Sequence, residues 1–288
     1  MKKLISSFII LLAGLFNLSA QEFPISITPQ GYIFVQVTLN DSIPANFMLD
    51  TGAGINILSQ KVFNKIADSA QETGIMTGFR HDGDRLDGPV YQLPALAIGS
   101  SKQTDVKVGI YPPLDDYGID GLVSLKFFEN TPFTIDFKNQ KLTILNSVEA
   151  EQLAKNHDWL PLAFKIERDI MLDIFIPIVL NNSLELQAEF DTGSGFGPLV
   201  VNPYYIQKLN LNKSGMTATR YTTPISEKAT TDYNHPVNLS LKGTEGIRIE
   251  NKTATFRENL IYEALIGSEI FKDRAITIDL AKARLIIH

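Results

Sequence analysis

The chain has 288 residues, 44% of them apolar and 20% charged, with no cysteine and a formal net charge of −6. That length admits one or two domains with ordinary cores, and the missing cysteine excludes disulfides, thiol catalysis and a lipid-modified cysteine. The acidic balance argues against a nucleic-acid partner.

The first 20 residues form a unit of their own. Lys2-Lys3, an apolar run from Leu4 to Leu18 and the small pair Ser19-Ala20 have the layout of a secretory signal peptide. The apolar run is short for a membrane span. We therefore expect an exported protein, periplasmic, held in the cell envelope or secreted; an uncleaved N-terminal anchor is the alternative. Loss of Lys2 and Lys3 leaves 24 Lys and Arg against 32 Asp and Glu, a net charge of −8.

From Gly31 to Leu39 the period of two puts Ile33, Val35, Val37 and Leu39 on one apolar face, which predicts a half-buried strand. Asn40-Asp41-Ser42 supplies a turn, and Ala45 to Leu49 returns as the strand that delivers Asp50. The loop Asp50-Thr51-Gly52-Ala53-Gly54 follows, its glycines permitting close backbone approaches. Ser59 is placed to cap a short helix running to Asp68, with Val62, Phe63 and Ile66 on one face.

Between Thr73 and Leu93 the turn formers Gly74, Gly78, Gly83 and Gly88 and the polar run from His81 to Arg85 predict a mobile hairpin with a solvated tip. Asp82, Asp84 and Asp87 do not have the spacing of a calcium loop. Strands follow at Val90 to Ile98 and Val106 to Tyr111, ended by Pro112-Pro113. The polar, helix-compatible stretch from Asn146 to Asp158 is the best domain boundary.

Beyond it the chain repeats itself. Asp191-Thr192-Gly193-Ser194-Gly195 copies the first aspartate loop 141 residues later, and FIPIVLNNSLELQAEFDTG (175 to 193) lies over FVQVTLNDSIPANFMLDTG (34 to 52). Near the ends of the copies the offset becomes 143, with ALIGSEIF and TIDL over GLVSLKFF and TIDF. In each copy an apolar run, Phe47-Met48-Leu49 or Ala188-Glu189-Phe190, leads into the aspartate. A second short helix should open at Asn202-Pro203. The chain thus reads as residues 1–20 leader, 21–150 first lobe and 151–288 second lobe, two copies of a roughly 120-residue unit.

Two carboxylates on duplicated loops can meet on the axis relating the copies. Like charges that close share one proton near moderately acidic pH. One member then acts as general base on a water while the other polarises a carbonyl, which is the chemistry of amide hydrolysis without a covalent adduct.

The paired DTGAG and DTGSG loops, each followed downstream by an apolar segment (GLVSLKFF, ALIGSEIF) and a TIDF or TIDL strand, resemble the aspartic proteases, in particular the bacterial retropepsin-like group in two-lobed, single-chain form. The resemblance implies an all-β, bilobal fold with a cleft between the lobes. It implies a polypeptide substrate, no cofactor and no metal, with Asp50 and Asp191 as the dyad. Thr51 and Thr192 would interlock beneath it, Gly52 and Gly193 would admit the carboxylates, and Ser194 would hydrogen-bond the second one. Ala53 and Ser124 stand where the family pattern has a serine and a glycine. The hairpin from Gly74 to Gly88 would be the flap. Both half-sites lie in one chain, so dimerisation is not required. A protease-fold envelope protein that holds peptides without cleaving them is the alternative.

Other features have simpler readings. The glycines at 193, 195 and 197 precede a proline and a strand rather than the helix a nucleotide loop needs. Histidines 81, 157, 235 and 288 lack metal-ligand spacing and read as surface side chains. Asp136 and Asp279 match across the repeat and read as hairpin caps, and Trp159 as packing between the lobes.

Overall fold

The structure is a computed structural model and describes residues 20–197, 199–222, 229–244 and 246–288. The leader assignment for residues 1–20 lies, apart from Ala20, outside the described residues.

Each copy builds one eight-stranded sheet, and the two sheets have the same strand order. In the first the order is Ser26–Ile27, Ile33–Leu39, Ile43–Leu49, Gly121–Val123, Asn56–Leu58, Ser101–Ile110, Arg85–Ile98 and Gln71–Phe79. In the second it is Ala163–Glu167, Met171–Leu180, Leu184–Phe190, Ala264–Ile266, Leu199–Val201, Arg248–Arg257, Ala229–Leu241 and Thr217–Thr222. The fold is therefore all-β and bilobal, with short helical turns between strands. The alternation from Ile33 to Leu39 holds: Ile33, Val35, Val37 and Leu39 are buried.

One parallel pairing in each lobe matters for the aspartates. Ile43–Leu49 runs parallel to Gly121–Val123, and Leu184–Phe190 runs parallel to Ala264–Ile266. Each aspartate is thereby launched between two buried strands, and its backbone N–H is tied to the neighbour: Asp50 to the Val123 carbonyl and Asp191 to the Ile266 carbonyl, both at 2.9 Å.

A six-stranded sheet joins the lobes, in the order Gln21–Pro24, Lys141–Ile144, Phe133–Asp136, Ala275–Asp279, Arg284–Ile287 and Asp158–Pro161. At its centre the two TID segments pair antiparallel, and Thr134 faces its own repeat mate Thr277, hydroxyl to hydroxyl at 2.6 Å. The axis relating the copies passes between these threonines. Asp136 and Asp279 cap the hairpins that follow, accepting from Asn139 N at 2.8 Å and Lys282 N at 3.2 Å.

Several expectations change. The helix after Ser59 is a single turn, Gln60–Phe63, capped by Ser59 as read, and a separate 3-10 turn covers Ala67–Ser69. Ile66, between them, is buried and anchors the break. The second helix is Tyr205–Lys208: Asn202 accepts from Tyr204 N in a turn that carries Pro203, and helical bonding starts after it. A ten-residue helix, Ser147–Asn156, occupies the polar stretch between the copies and is closed at its start by a capping box of Asn146 and Glu149. Trp159 does not pack between the lobes; it lies on the edge strand Asp158–Pro161 and is 51% exposed.

Candidate active site

Sequence forces the two loops together through their threonines. Thr51 N donates to Thr192 Oγ1 and Thr192 N to Thr51 Oγ1, both at 3.0 Å. Each hydroxyl then donates into the opposite lobe, Thr51 Oγ1 to the Phe190 carbonyl at 2.5 Å and Thr192 Oγ1 to the Leu49 carbonyl at 2.8 Å. Both threonines are wholly buried, so these four bonds have no water competing for them.

Gly52 and Gly193 sit where no side chain fits. A Cβ on Gly52 would lie 2.6 Å from Asp191 Cγ, and one on Gly193 would lie 2.5 Å from Asp50 Cγ. Each glycine thus faces the carboxylate of the other lobe, and Asp50 and Asp191 are brought side by side.

The two carboxyls are held differently. Asp50 Oδ1 accepts backbone N–H groups from Gly52 at 2.9 Å and Ala53 at 3.0 Å. Ala53, which offers no hydroxyl, still donates through its main chain. Asp191 Oδ2 accepts the Ser194 hydroxyl at 2.6 Å. Asp191 Oδ1 is buried and accepts from no other donor among the described residues. Asp191 stands beside Asp50 as a second carboxyl, so the pair can hold one proton between them. Burial first, then the charge of Asp191, raises Asp50 well above the usual carboxylate range.

Ser124 is accommodated without crowding. Its N–H and its hydroxyl donate to Asn56 Oδ1 at 2.9 and 3.3 Å, and its oxygen caps Lys126 N at 3.2 Å. In the second lobe the corresponding Gly267 must be glycine, because a Cβ would strike the Gly195 carbonyl oxygen. That oxygen accepts Ser268 N at 2.8 Å and Ser268 Oγ at 3.2 Å. The first loop's matching carbonyl, on Gly54, accepts Leu172 N from the second lobe instead, and the Asn56 side chain takes over its local role.

The carboxyls open into a cavity of about 490 Å³ between the lobes. Its roof is the hairpin of Gln71–Phe79 and Arg85–Ile98, whose tip runs from Arg80 to Asp84, with Gly83 at φ 81°. The tip is not free in solvent. Ile261 N donates to the His81 carbonyl at 3.0 Å, and the His81 ring meets Arg257 Nη1 at 3.1 Å. Arg257 is fixed by both oxygens of Asp232 at 2.9 and 2.8 Å. His81 is therefore no surface histidine; burial first, then the Arg257 charge, lowers its pKa.

Sequence reasoning also passed over Glu189. It stands two residues before Asp191 on a strand, and the period of two directs both to the cleft side. Burial first, then Asp191, pushes it up to about 9. It was hidden by the apolar neighbours Ala188 and Phe190.

The comparisons agree with this architecture. The aspartyl protease family model matches residues 35–127, all within the first copy. No curated protein matches the sequence. Among solved structures, basic 7S globulin from soybean superposes with a TM-score of 0.54 at 9% identity, covering 93% of this chain and 94% of that one. A structure titled edgp does so with a TM-score of 0.52 at 11% identity, with the same coverages of 93% and 94%. At these identities the structural likeness concerns the fold. The family match and the shared bilobal fold together support the pepsin- and retropepsin-like resemblance.

Proposed function

We propose that the protein is an aspartic endopeptidase with Asp50 and Asp191 as its dyad. The observation that carries this reading is the reciprocal threonine lock, which presses two carboxyls together at the floor of a peptide-sized cavity.

Asp50 holds the shared proton, as its raised pKa favours. Asp191 takes a proton from a bound water as that oxygen attacks the peptide carbonyl, and Asp50 gives its proton to the carbonyl oxygen. Asp191 then passes the proton to the amide nitrogen, the C–N bond breaks, and Asp50 recovers its proton from the collapsing diol. No covalent enzyme adduct forms. The roofing hairpin excludes water while the tip contacts hold.

Cleavage of a mixed peptide library between about pH 3 and 8 tests the reading. We expect Asp191→Asn and Asp50→Asn each to lower turnover about a thousandfold with the fold intact. Unchanged cleavage in either variant would remove the dyad.

The bonds from Ile261 and Arg257 to the His81 tip favour a second reading, a closed protein that retains peptides without turnover. Peptides bound but uncut at every pH would select it. The leader-like layout of residues 1–20 supports export, which N-terminal sequencing of the processed protein would check.

A further inference from the structure

The two walls of the cleft differ in chemistry. On the first lobe's side Ile55, Ile57, Met76 and Leu122 line the cavity, with Arg80, His81 and Asp87 coming from the roofing hairpin. On the second lobe's side stand Glu189, Asp173, Tyr262 and Lys165. The repeat sharpens the contrast, because the residue matching Glu189 at the offset of 141 is Met48, and the residue matching Asp173 is Tyr32.

Glu189 is 4% exposed and Asp173 6%, yet both border the cavity. Asp173 has a counter-ion, Lys165 at 3.8 Å, on a lysine that is largely exposed. Tyr262 borders the same cavity, and among the described residues no cation lies within ion-pair distance of Glu189, Lys165 acting on it only as a more distant charge. Burial raises both acids, Asp173 to about 6 and Glu189 to about 9.

A carboxyl buried without a countercharge is destabilising, and a protein gains nothing in packing from one where its repeat mate carries a methionine. The cost is offset when a cation arrives with the ligand. The geometry puts this carboxyl on the strand that delivers Asp191, hence beside the bond to be cut.

Resting on the endopeptidase reading, we propose that the second lobe's half of the cleft takes a lysine or arginine side chain of the substrate against Glu189 and Asp173. The first lobe's half takes an apolar side chain from the other side of the scissile bond. Glu189 is then a specificity-determining residue that touches substrate, and Lys165 is displaced from Asp173 or shares it.

The test uses fluorescein-labelled alanine-rich octapeptides with a central Leu-Phe pair, in which one lysine or one norleucine is scanned through each position. Binding is read by anisotropy with Asp191→Asn, and cleavage by mass spectrometry with the native protein. At one position adjacent to the cut, lysine should exceed norleucine about tenfold in affinity and in kcat/KM. Glu189→Met, which installs the first lobe's residue, should reverse that preference. Asp173→Asn should weaken it, and serves if Glu189→Met does not fold.

Equal use of lysine and norleucine at every position, with cleavage present, would overturn the inference and leave the endopeptidase reading standing. A lysine preference in binding with no cleavage would sustain the inference and remove endopeptidase activity. Neither binding nor cleavage would overturn both.

Discussion

The loop around Asp50 and the loop around Asp191 share their threonines and glycines, yet they stabilise their carboxyls by different means. Asp50 relies on two main-chain N–H groups, from Gly52 and Ala53. Asp191 relies on one side-chain hydroxyl, from Ser194. The same split recurs one layer out, where the second loop uses the Gly195 carbonyl and the first uses the Asn56 side chain. Both copies keep the threonine and glycine layer that crosses between the lobes and vary the groups around it: the Gly54 carbonyl accepts Leu172 N from the other lobe, whereas its mate on Gly195 accepts Ser268 within its own. Symmetry is thus retained where the two carboxyls must meet.

The largest effect should come from the shared part. Thr51→Ala removes the bond to the Phe190 carbonyl and leaves Thr192 N–H without its acceptor, both in a wholly buried site. Two orphaned buried groups cost roughly 2–4 kcal/mol of stability. Thr192→Ala orphans the Leu49 carbonyl and Thr51 N–H in mirror fashion, so its loss should match within about 1 kcal/mol. Urea unfolding of the two variants checks this. A clear inequality would break the claim that the interlobe layer is symmetric.

A smaller effect separates the lobes. Gly267→Ser drives a Cβ toward the Gly195 carbonyl oxygen, which is main chain and cannot swing away. Overpacking of this kind costs roughly 1–3 kcal/mol. Ser124→Gly loses one hydroxyl bond to Asn56 and one cap on Lys126, and costs about 1 kcal/mol. Thermal melts should therefore show the exchange to be harsher in the second lobe. Equal shifts would mean that Asn56 gives the first loop no distinct support.

How much of this was legible follows from chain distance and from repetition. The meeting of Asp50 with Asp191, the threonine lock and the bilobal fold were readable because they occur twice, and each occurrence supplies the context that tests the other. The turn at Asn40-Asp41 was readable from composition, and its left-handed φ values of 47° and 62° are matched by 48° and 56° at Asn181 and Asn182. His81 was not, because its partner Arg257 lies 176 residues away and has meaning only once the hairpin folds over the cleft. Glu189 was missed for a different reason. Its neighbours Ala188 and Phe190 are apolar, which suggested an apolar run, whereas the period of two already placed it with Asp191. Asn56 gave no signal at all, since the carbonyl it replaces is backbone.

The finest distinction between the loops concerns pH. Ala53 supplies Asp50 with a main-chain donor only, whereas Ser194 supplies Asp191 with a hydroxyl. Asp50 is raised by burial and by Asp191, and the Gly52 and Ala53 bonds oppose that rise. Ala53→Ser would add a third donor to the ionised form of Asp50 and so lower its pKa. On the endopeptidase reading a singly protonated dyad loses its proton as pH rises, so the basic limb of the activity profile reports that loss. A lower pKa moves this limb, and the optimum with it, toward acid. The native protein should then keep activity at a milder pH than Ala53→Ser does. A native profile lying on the acid side of the variant's would contradict this, and coincident profiles would show that the main-chain donors already saturate Asp50, so that the two loops, though built differently, hold their carboxyls equally.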